Sequence, residues 1–252
     1  MRFSPIANLM GWTLTVVSIP MFFIGLSSFI LQDNSTDFFI RSFLIPVILG
    51  LITGLTMIIK TRKSFDQEDG VRDREAVTSV ALGWLLVIFF GGMPYWLGGM
   101  FHGPFSYIEG TSSFSEVSLG LLHSWFESMS GFTTTGATVI DPLTSPICVS
   151  VTDCIGSQPK SLLLWRSTTQ WLGGMGVIML SILILGRWIG GGLTLAREEL
   201  TGPSLSRLGP KLQQTAAFLW GVYALLTFIE FLLFGNSTYS TQEQPKGFPE
   251  AK

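Results

Sequence analysis

GFTTTGATVI, residues 131–140, lies between two long apolar segments and directly follows the short apolar run LLHSWFESMS, residues 121–130. The run from Leu119 to Ser130 is too short to cross a bilayer as a helix and too apolar for a solvated loop. A re-entrant half-helix ending at Gly131 is the economical assignment. The threonine-rich backbone that follows then sits near membrane depth, where irregular chain is tolerated only if it is buried in protein or lines a wet cavity. The stretch reads as a pore loop.

The rest of the composition agrees with a membrane setting. Eight tryptophans, twenty phenylalanines and 13% charged residues give a mean hydropathy of +0.48. The apolar residues form blocks long enough to cross about 30 Å of hydrocarbon. A net charge of −2 leaves no basic patch for a phosphate backbone, so nucleic acid is not an expected partner. The first apolar block, after MRFSPIAN, lacks a small-residue cleavage pattern and is read as a retained helix rather than a signal peptide.

Five spans follow: Leu9–Leu31, Phe38–Ile59, Thr78–Phe101, Ser161–Gly186 and Gln213–Phe234. An odd number places the termini on opposite sides. Arg2, Lys60, Arg62, Lys63, Arg72, Arg74, Arg187, Arg197, Arg207 and Lys211 fall on one side, against Arg41, Lys160, Arg166, Lys246 and Lys252 on the other. The ten-to-five bias puts the N-terminus in the cytoplasm and the pore loop and C-terminal tail outside an inner, multi-pass cell membrane. Residues 1–77 make two preliminary helices and a cytoplasmic connector, 78–189 a helix-pore-helix unit, and 190–252 an inner loop, one further helix and a polar outer tail expected to be disordered. The connector KTRKSFDQEDGVRDREA is dense in both signs, and its charges are most simply solvated.

A dehydrated potassium ion needs protein oxygens in place of its water, and an extended run of backbone carbonyls supplies them. Thr134, Thr135, Gly136 and Ala137 offer such a ladder, with Gly136 able to adopt positive φ and threonine hydroxyls as extra oxygens. The preceding half-helix would aim its partly negative C-terminal end at the ion. Arg166 lies in the outer part of a span, where an unpaired charge is costly. Glu127 on the half-helix is a candidate partner, and a clamp bracing the loop is favoured over ion contact because a cation beside the path repels potassium. Cys148 and Cys154, close together in an outer loop, are read either as a disulfide or as free thiols. They lack the further ligands of a zinc site. QWLGGMG, residues 170–176, is either a pore-lining hinge or a close-packing surface. His102 and His123 have no nucleophile arrangement around them, so an enzyme is not expected.

WFESMSGFTTTGATVI followed by LLLWRSTTQWLGGMGVIML resembles the first helix-pore-helix unit of the Trk/Ktr family of potassium transport subunits. The DREA run leading into ALGWLLVIFFGGMPYWLGG and the outer PKSLLLWRS are similar to that family too, over about residues 1–234. The resemblance implies an all-α integral membrane fold of potassium-channel type, with a pore made of four non-identical helix-pore-helix repeats in one polypeptide and one filter glycine per repeat. Thr134 and Thr135 match the ion-contacting positions and Gly136 the glycine. Thr138 stands where a potassium channel has a second glycine, which implies weaker discrimination against sodium.

The chain carries two preliminary helices, one full repeat and the first helix of a second. One strand cannot encircle an ion, so the expectation is potassium passage as a homo-oligomer or with the remaining pore repeats from another polypeptide. The alternative is a non-conducting partial subunit. The family further implies a cytoplasmic nucleotide-binding regulatory subunit. No G-x-G-x-x-G or P-loop is present in this chain, so any nucleotide belongs to that partner and no cofactor is expected here beyond membrane lipid and the transported potassium.

Overall fold

Ser4 and Asn8 interrupt the start of the first apolar run, yet they do not mark a loop. The Ser4 hydroxyl donates to the Thr61 carbonyl at 3.2 Å and Asn8 Nδ2 to Thr61 Oγ1 at 3.1 Å. With these polar groups satisfied by a neighbouring helix, α1 runs from Phe3 to Ile30, beginning before the expected Leu9. The computed structural model describes residues 2–31, 36–66, 73–148, 153–176 and 208–238. These residues are all-helical and loop, with no strand among them.

Helix α2 (Thr36–Phe39) passes through a π-helical segment, Ile40–Leu44, into α3 (Ile45–Asp66). The α1 and α3 backbones touch. A Cβ added to Gly11 would lie 2.6 Å from the Gly54 carbonyl, and one on Gly54 would lie 2.8 Å from the Gly11 carbonyl. The small-residue pattern of GLITG is therefore used within the chain, where the absence of side chains lets two helices meet at van der Waals contact.

Helix α4 (Asp73–Leu97) packs against both α1 and α6 (Phe114–Phe132), with the short α5 (Pro104–Ile108) between α4 and α6 in sequence. A further helix, α7, is described over 160–176. Met21, Phe43, Tyr95, Phe132, Leu162 and Trp165 belong to one buried core. Three segments are long and apolar enough to cross a membrane among the described residues: Phe3–Ile30, Thr36–Arg62 and Val77–Leu97. The expected fourth span continues through 177–186, outside the described residues, as does most of the inner loop from Gly190. Residues 1–177 form one compact unit and 178–252 another. In the second, α8 (Leu208–Thr238) contains the expected fifth span, with an apolar stretch at Ala217–Leu233. It continues as helix into the polar tail as far as Thr238. The tail beyond it lies outside the described residues.

The solvated reading of the charged connector fails at Glu75. This carboxylate is 1% exposed and grips Arg2, taking Nε at 3.0 Å and the terminal Nη2 at 2.8 Å, while the Arg2 backbone N–H donates at 3.2 Å. Local charge density gave no sign of this contact because the partner is more than seventy residues away. A fork-to-fork pair of this kind fixes orientation as well as charge, and it ties the start of α1 to the start of α4. Glu75→Ala is expected to cost about 2 kcal/mol, less than a fully buried pair because Arg2 is partly wet. The check is thermal unfolding of the purified protein in detergent, with Arg2→Ala in parallel. Unchanged melting in both variants would contradict it.

Candidate functional site

Helix α6 is longer at its start than the apolar run suggested. Ser113 caps it in a reciprocal box: the Ser113 backbone N–H donates to Glu116 Oε2 at 2.7 Å, and the Glu116 N–H donates to the Ser113 hydroxyl at 3.4 Å. Donors on the Ser113 backbone and hydroxyl hold the Glu116 carboxyl below its ordinary range. The polar first turn is thus a helix start rather than loop.

At the other end, α6 includes Gly131 and stops after Phe132. The Thr135 N–H reaches back to the Ser130 carbonyl at 3.0 Å and the Thr134 N–H to the Gly131 carbonyl at 2.9 Å. This is the Schellman pairing, which demands a left-handed residue where glycine is usual. Thr134 occupies it, at φ +57°. A β-branched side chain in that conformation is rare and costs about 1–3 kcal/mol, a type of strain concentrated at functional sites. Gly136 follows at φ +75°. A Cβ there would come no nearer than 3.8 Å to Gln170 Nε2, so backbone conformation, not space, makes glycine useful at this position.

Thr133 through Thr138 are exposed, in contrast to buried Gly131, Phe132 and Ile140. The carbonyls of Thr134, Thr135 and Gly136 accept no hydrogen bond among the described residues, whereas the Ala137 carbonyl accepts from the Ser130 hydroxyl at 2.6 Å and from an Arg166 terminal nitrogen at 3.4 Å.

Beneath this run lies Glu127, fully buried on α6. Its Oε1 accepts from Arg166 Nε on α7, and its Oε2 accepts from the Thr138 hydroxyl at 3.1 Å and the Val139 N–H at 3.2 Å. The structure brings these two charges together and hangs the outgoing chain from them. Thr138, which sequence reading noted only for not being glycine, is one of the attachment points. A Cβ on Gly173 would fall 2.1 Å from the Phe132 carbonyl, so QWLGGMG provides close packing of α7 against the end of α6. Trp165 closes the back, its indole N–H donating 2.9 Å to the Gly91 carbonyl of α4 while its ring meets Phe132 edge-on.

Farther out, Asp141 Oδ1 accepts from the Leu143 and Thr144 N–H groups at 2.7 and 3.0 Å, turning the chain. Cys148 and Cys154 are joined in a disulfide with Cα atoms 5.0 Å apart. Gln158 Nε2 crosses the closed loop to the Ser145 hydroxyl at 3.0 Å and the Cys154 carbonyl at 3.1 Å. His102 Nδ1 lies 2.7 Å from the Ser112 hydroxyl, and His123 stacks near Phe101 with ring centres 5.6 Å apart. Sequence reading missed Ser130. Its spacing of three residues from Glu127 places both on one face of α6, which is the signal that would have found it.

The class these features define is an all-helical integral membrane protein with an exposed loop braced from within. The family model described as TrkH, a cation transport protein, matches residues 105–244, more than half of the chain. The Trk system potassium uptake protein TrkH of Halomonas elongata is 32% identical over 225 residues, covering 88% of this chain and 39% of that protein. Its counterpart of the same name in Escherichia coli K12 is 30% identical over 229 residues, covering 90% and 40%. The crystal structure of the potassium transporter TrkH from Vibrio parahaemolyticus has a similar fold, with a TM-score of 0.62 at 24% identity over 93% of this chain and 40% of that one. The chain belongs to the TrkH family of cation transport proteins, a class of transporters and not of enzymes. It spans about two fifths of the length of the relatives it matches.

Two outcomes are expected from this geometry. Removing one partner of the Glu127–Arg166 pair by Glu127→Ala leaves a partly wet guanidinium facing a buried gap and costs about 2–3 kcal/mol, less than a fully buried pair. The double variant Glu127→Ala/Arg166→Ala is expected to be less destabilised than the sum of the singles, as read by a double-mutant cycle of detergent melting. Additive losses would count against the clamp. Thr134→Gly, by relieving the left-handed threonine, is expected to raise stability by about 1 kcal/mol in the same assay, and a lower melting point would contradict it.

Proposed function

We propose that the chain supplies one filter strand of a potassium-conducting pore. The observation that carries this is the exposed run Thr134–Thr135–Gly136, whose carbonyls accept no hydrogen bond among the described residues while the chain on both sides is tied down. Oxygens left free on a braced backbone can replace the hydration shell of a monovalent cation without a large reorganisation cost. Left-handed φ at Thr134 and Gly136 bends the strand away from ordinary extended geometry, which is what a short carbonyl ladder needs. The relatives' names, which specify potassium uptake, point to the same ion.

In this reading potassium is the transported substrate, bound transiently and not as a cofactor. The N-terminus is cytoplasmic, and the loop with its Cys148–Cys154 crosslink faces outward. Glu127 and Arg166 support the loop. A ring around an ion requires several strands, so further copies of this chain or complementary pore repeats complete the path, and a cytoplasmic nucleotide-binding subunit regulates it. The second reading is a module that does not conduct without those repeats, favoured by the exposure of Thr134–Gly136 on the isolated chain.

Rubidium uptake and potassium-dependent growth in cells lacking their own potassium uptake systems separate the two. Uptake by the chain alone, with insertion verified, establishes self-assembly; uptake only when complementary repeats are co-expressed establishes the second reading. No uptake in either setting would overturn the filter. In the conducting assembly, Gly136→Ser forces a side chain into left-handed backbone at a cost of about 1–2 kcal/mol. It is expected to lower the potassium-to-sodium uptake ratio about tenfold while leaving insertion intact. An unchanged ratio would remove Gly136 from the filter.

A further inference from the structure

We propose that Ser130 is the positioning residue that decides where the ion-facing ladder of this strand ends, by keeping the Ala137 carbonyl for the protein. The inference rests on the filter reading above and departs from the expectation drawn from the sequence that Ala137 belongs to the ladder.

A carbonyl oxygen has two acceptor lobes. At Ala137 one is taken by the Ser130 hydroxyl at 2.6 Å, the other by the Arg166 guanidinium at 3.4 Å. A cation coordinating this oxygen must displace a short hydrogen bond and approach a fixed positive charge, whereas the Thr134, Thr135 and Gly136 oxygens accept no hydrogen bond among the described residues. The Thr138 hydroxyl beyond it is also engaged by protein, donating to Glu127 Oε2 at 3.1 Å and accepting from the Ile140 N–H at 3.2 Å. An ion moving outward past Gly136 therefore finds the next carbonyl of this strand, that of Ala137, already bound by protein.

Ser130 is suited to setting that limit. It is 3% exposed, so its hydroxyl is largely shielded from solvent. Its own carbonyl accepts from the Thr135 N–H at 3.0 Å and the Gly136 N–H at 3.4 Å. One residue at the end of α6 thus binds the loop at three successive positions. Two of those bonds use backbone N–H groups and leave the Thr135 and Gly136 oxygens free; the third uses an oxygen and removes it from the path. The side-chain hydroxyl is the only part of this arrangement that a substitution can delete without touching the helix end.

The test uses whichever assembly supports rubidium uptake. Ser130→Ala frees the shorter of the two bonds on the Ala137 oxygen and is expected to shift the rubidium-to-sodium uptake ratio upward by about three- to tenfold, the equivalent of one hydrogen bond, because an added carbonyl favours the larger, more easily dehydrated ion. Ser130→Thr retains the hydroxyl and is expected to keep the parent ratio. A parent-like ratio in Ser130→Ala, or the same shift in both variants, overturns the proposal. Should Ser130→Ala not insert, rubidium anomalous scattering from crystals of the parent assembly decides. Peaks confined to the levels of Thr134 to Gly136 support it, and a peak in direct contact with the Ala137 oxygen overturns it. A parent assembly without uptake or bound rubidium refutes the filter reading itself, and this inference with it.

Discussion

The ion pair between Glu127 and Arg166 is the contact on which the rest of the site depends. Either charge alone at that depth would carry a large desolvation cost. Together, with the Thr138 hydroxyl and the Val139 N–H filling the remaining acceptor capacity of Glu127, they form a satisfied knot joining α6, α7 and the chain that leaves the loop. A non-helical backbone held near membrane depth must have its polar groups answered by protein or by a wet cavity. Here the two answers are divided along the sequence. The Val139 N–H and the Ala137 oxygen are bound by protein, and the oxygens of Thr134 to Gly136 accept no hydrogen bond among the described residues.

That division depends on how closely the helices approach. Gly173 lets α7 come against the last carbonyl of α6, and the Trp165 indole reaches across to α4. If α7 stood off by the thickness of a methyl group, Arg166 could not sit beneath both Glu127 and Ala137. The outer frame uses the same devices: glycine contact between α1 and α3, and a buried carboxylate, Glu75, holding Arg2 at the other end of the molecule's first unit. In both places a charge is kept inside by a partner distant in sequence.

Much of this was legible before any coordinates. Apolar block length marked the first three spans, since hydrocarbon thickness leaves little choice. The short run ahead of GFTTTGATVI identified a helix that could not cross, and its threonines and single glycine marked the loop. Arg166 and Glu127 could be nominated as a pair because each needed a partner and few charges were on offer. Other features were hidden for definite reasons. Ser4 and Asn8 looked like pre-helix residues, because nothing local reveals that Thr61 will satisfy them. Glu75 looked solvated among so many neighbouring charges. Ser130 looked like a helix end and no more, because its spacing from Glu127 marks a shared helix face but not the acceptor that its hydroxyl finds.

The sequence by itself determined what the chain is made of: helices of membrane-crossing length, a threonine-glycine loop after a helix too short to span, and the family to which these belong. These are local properties, set by hydropathy, length and backbone freedom within a few residues. Only the tertiary structure decided which oxygens of the loop are free. Carbonyls at Thr134, Thr135, Gly136 and Ala137 are chemically alike, and what separates the last from the first three is the placement of Ser130 and Arg166, one seven residues before it and the other on a different helix. Hydrogen-bond acceptance is a matter of a few tenths of an ångström and of direction, and that information exists only once the helices have packed.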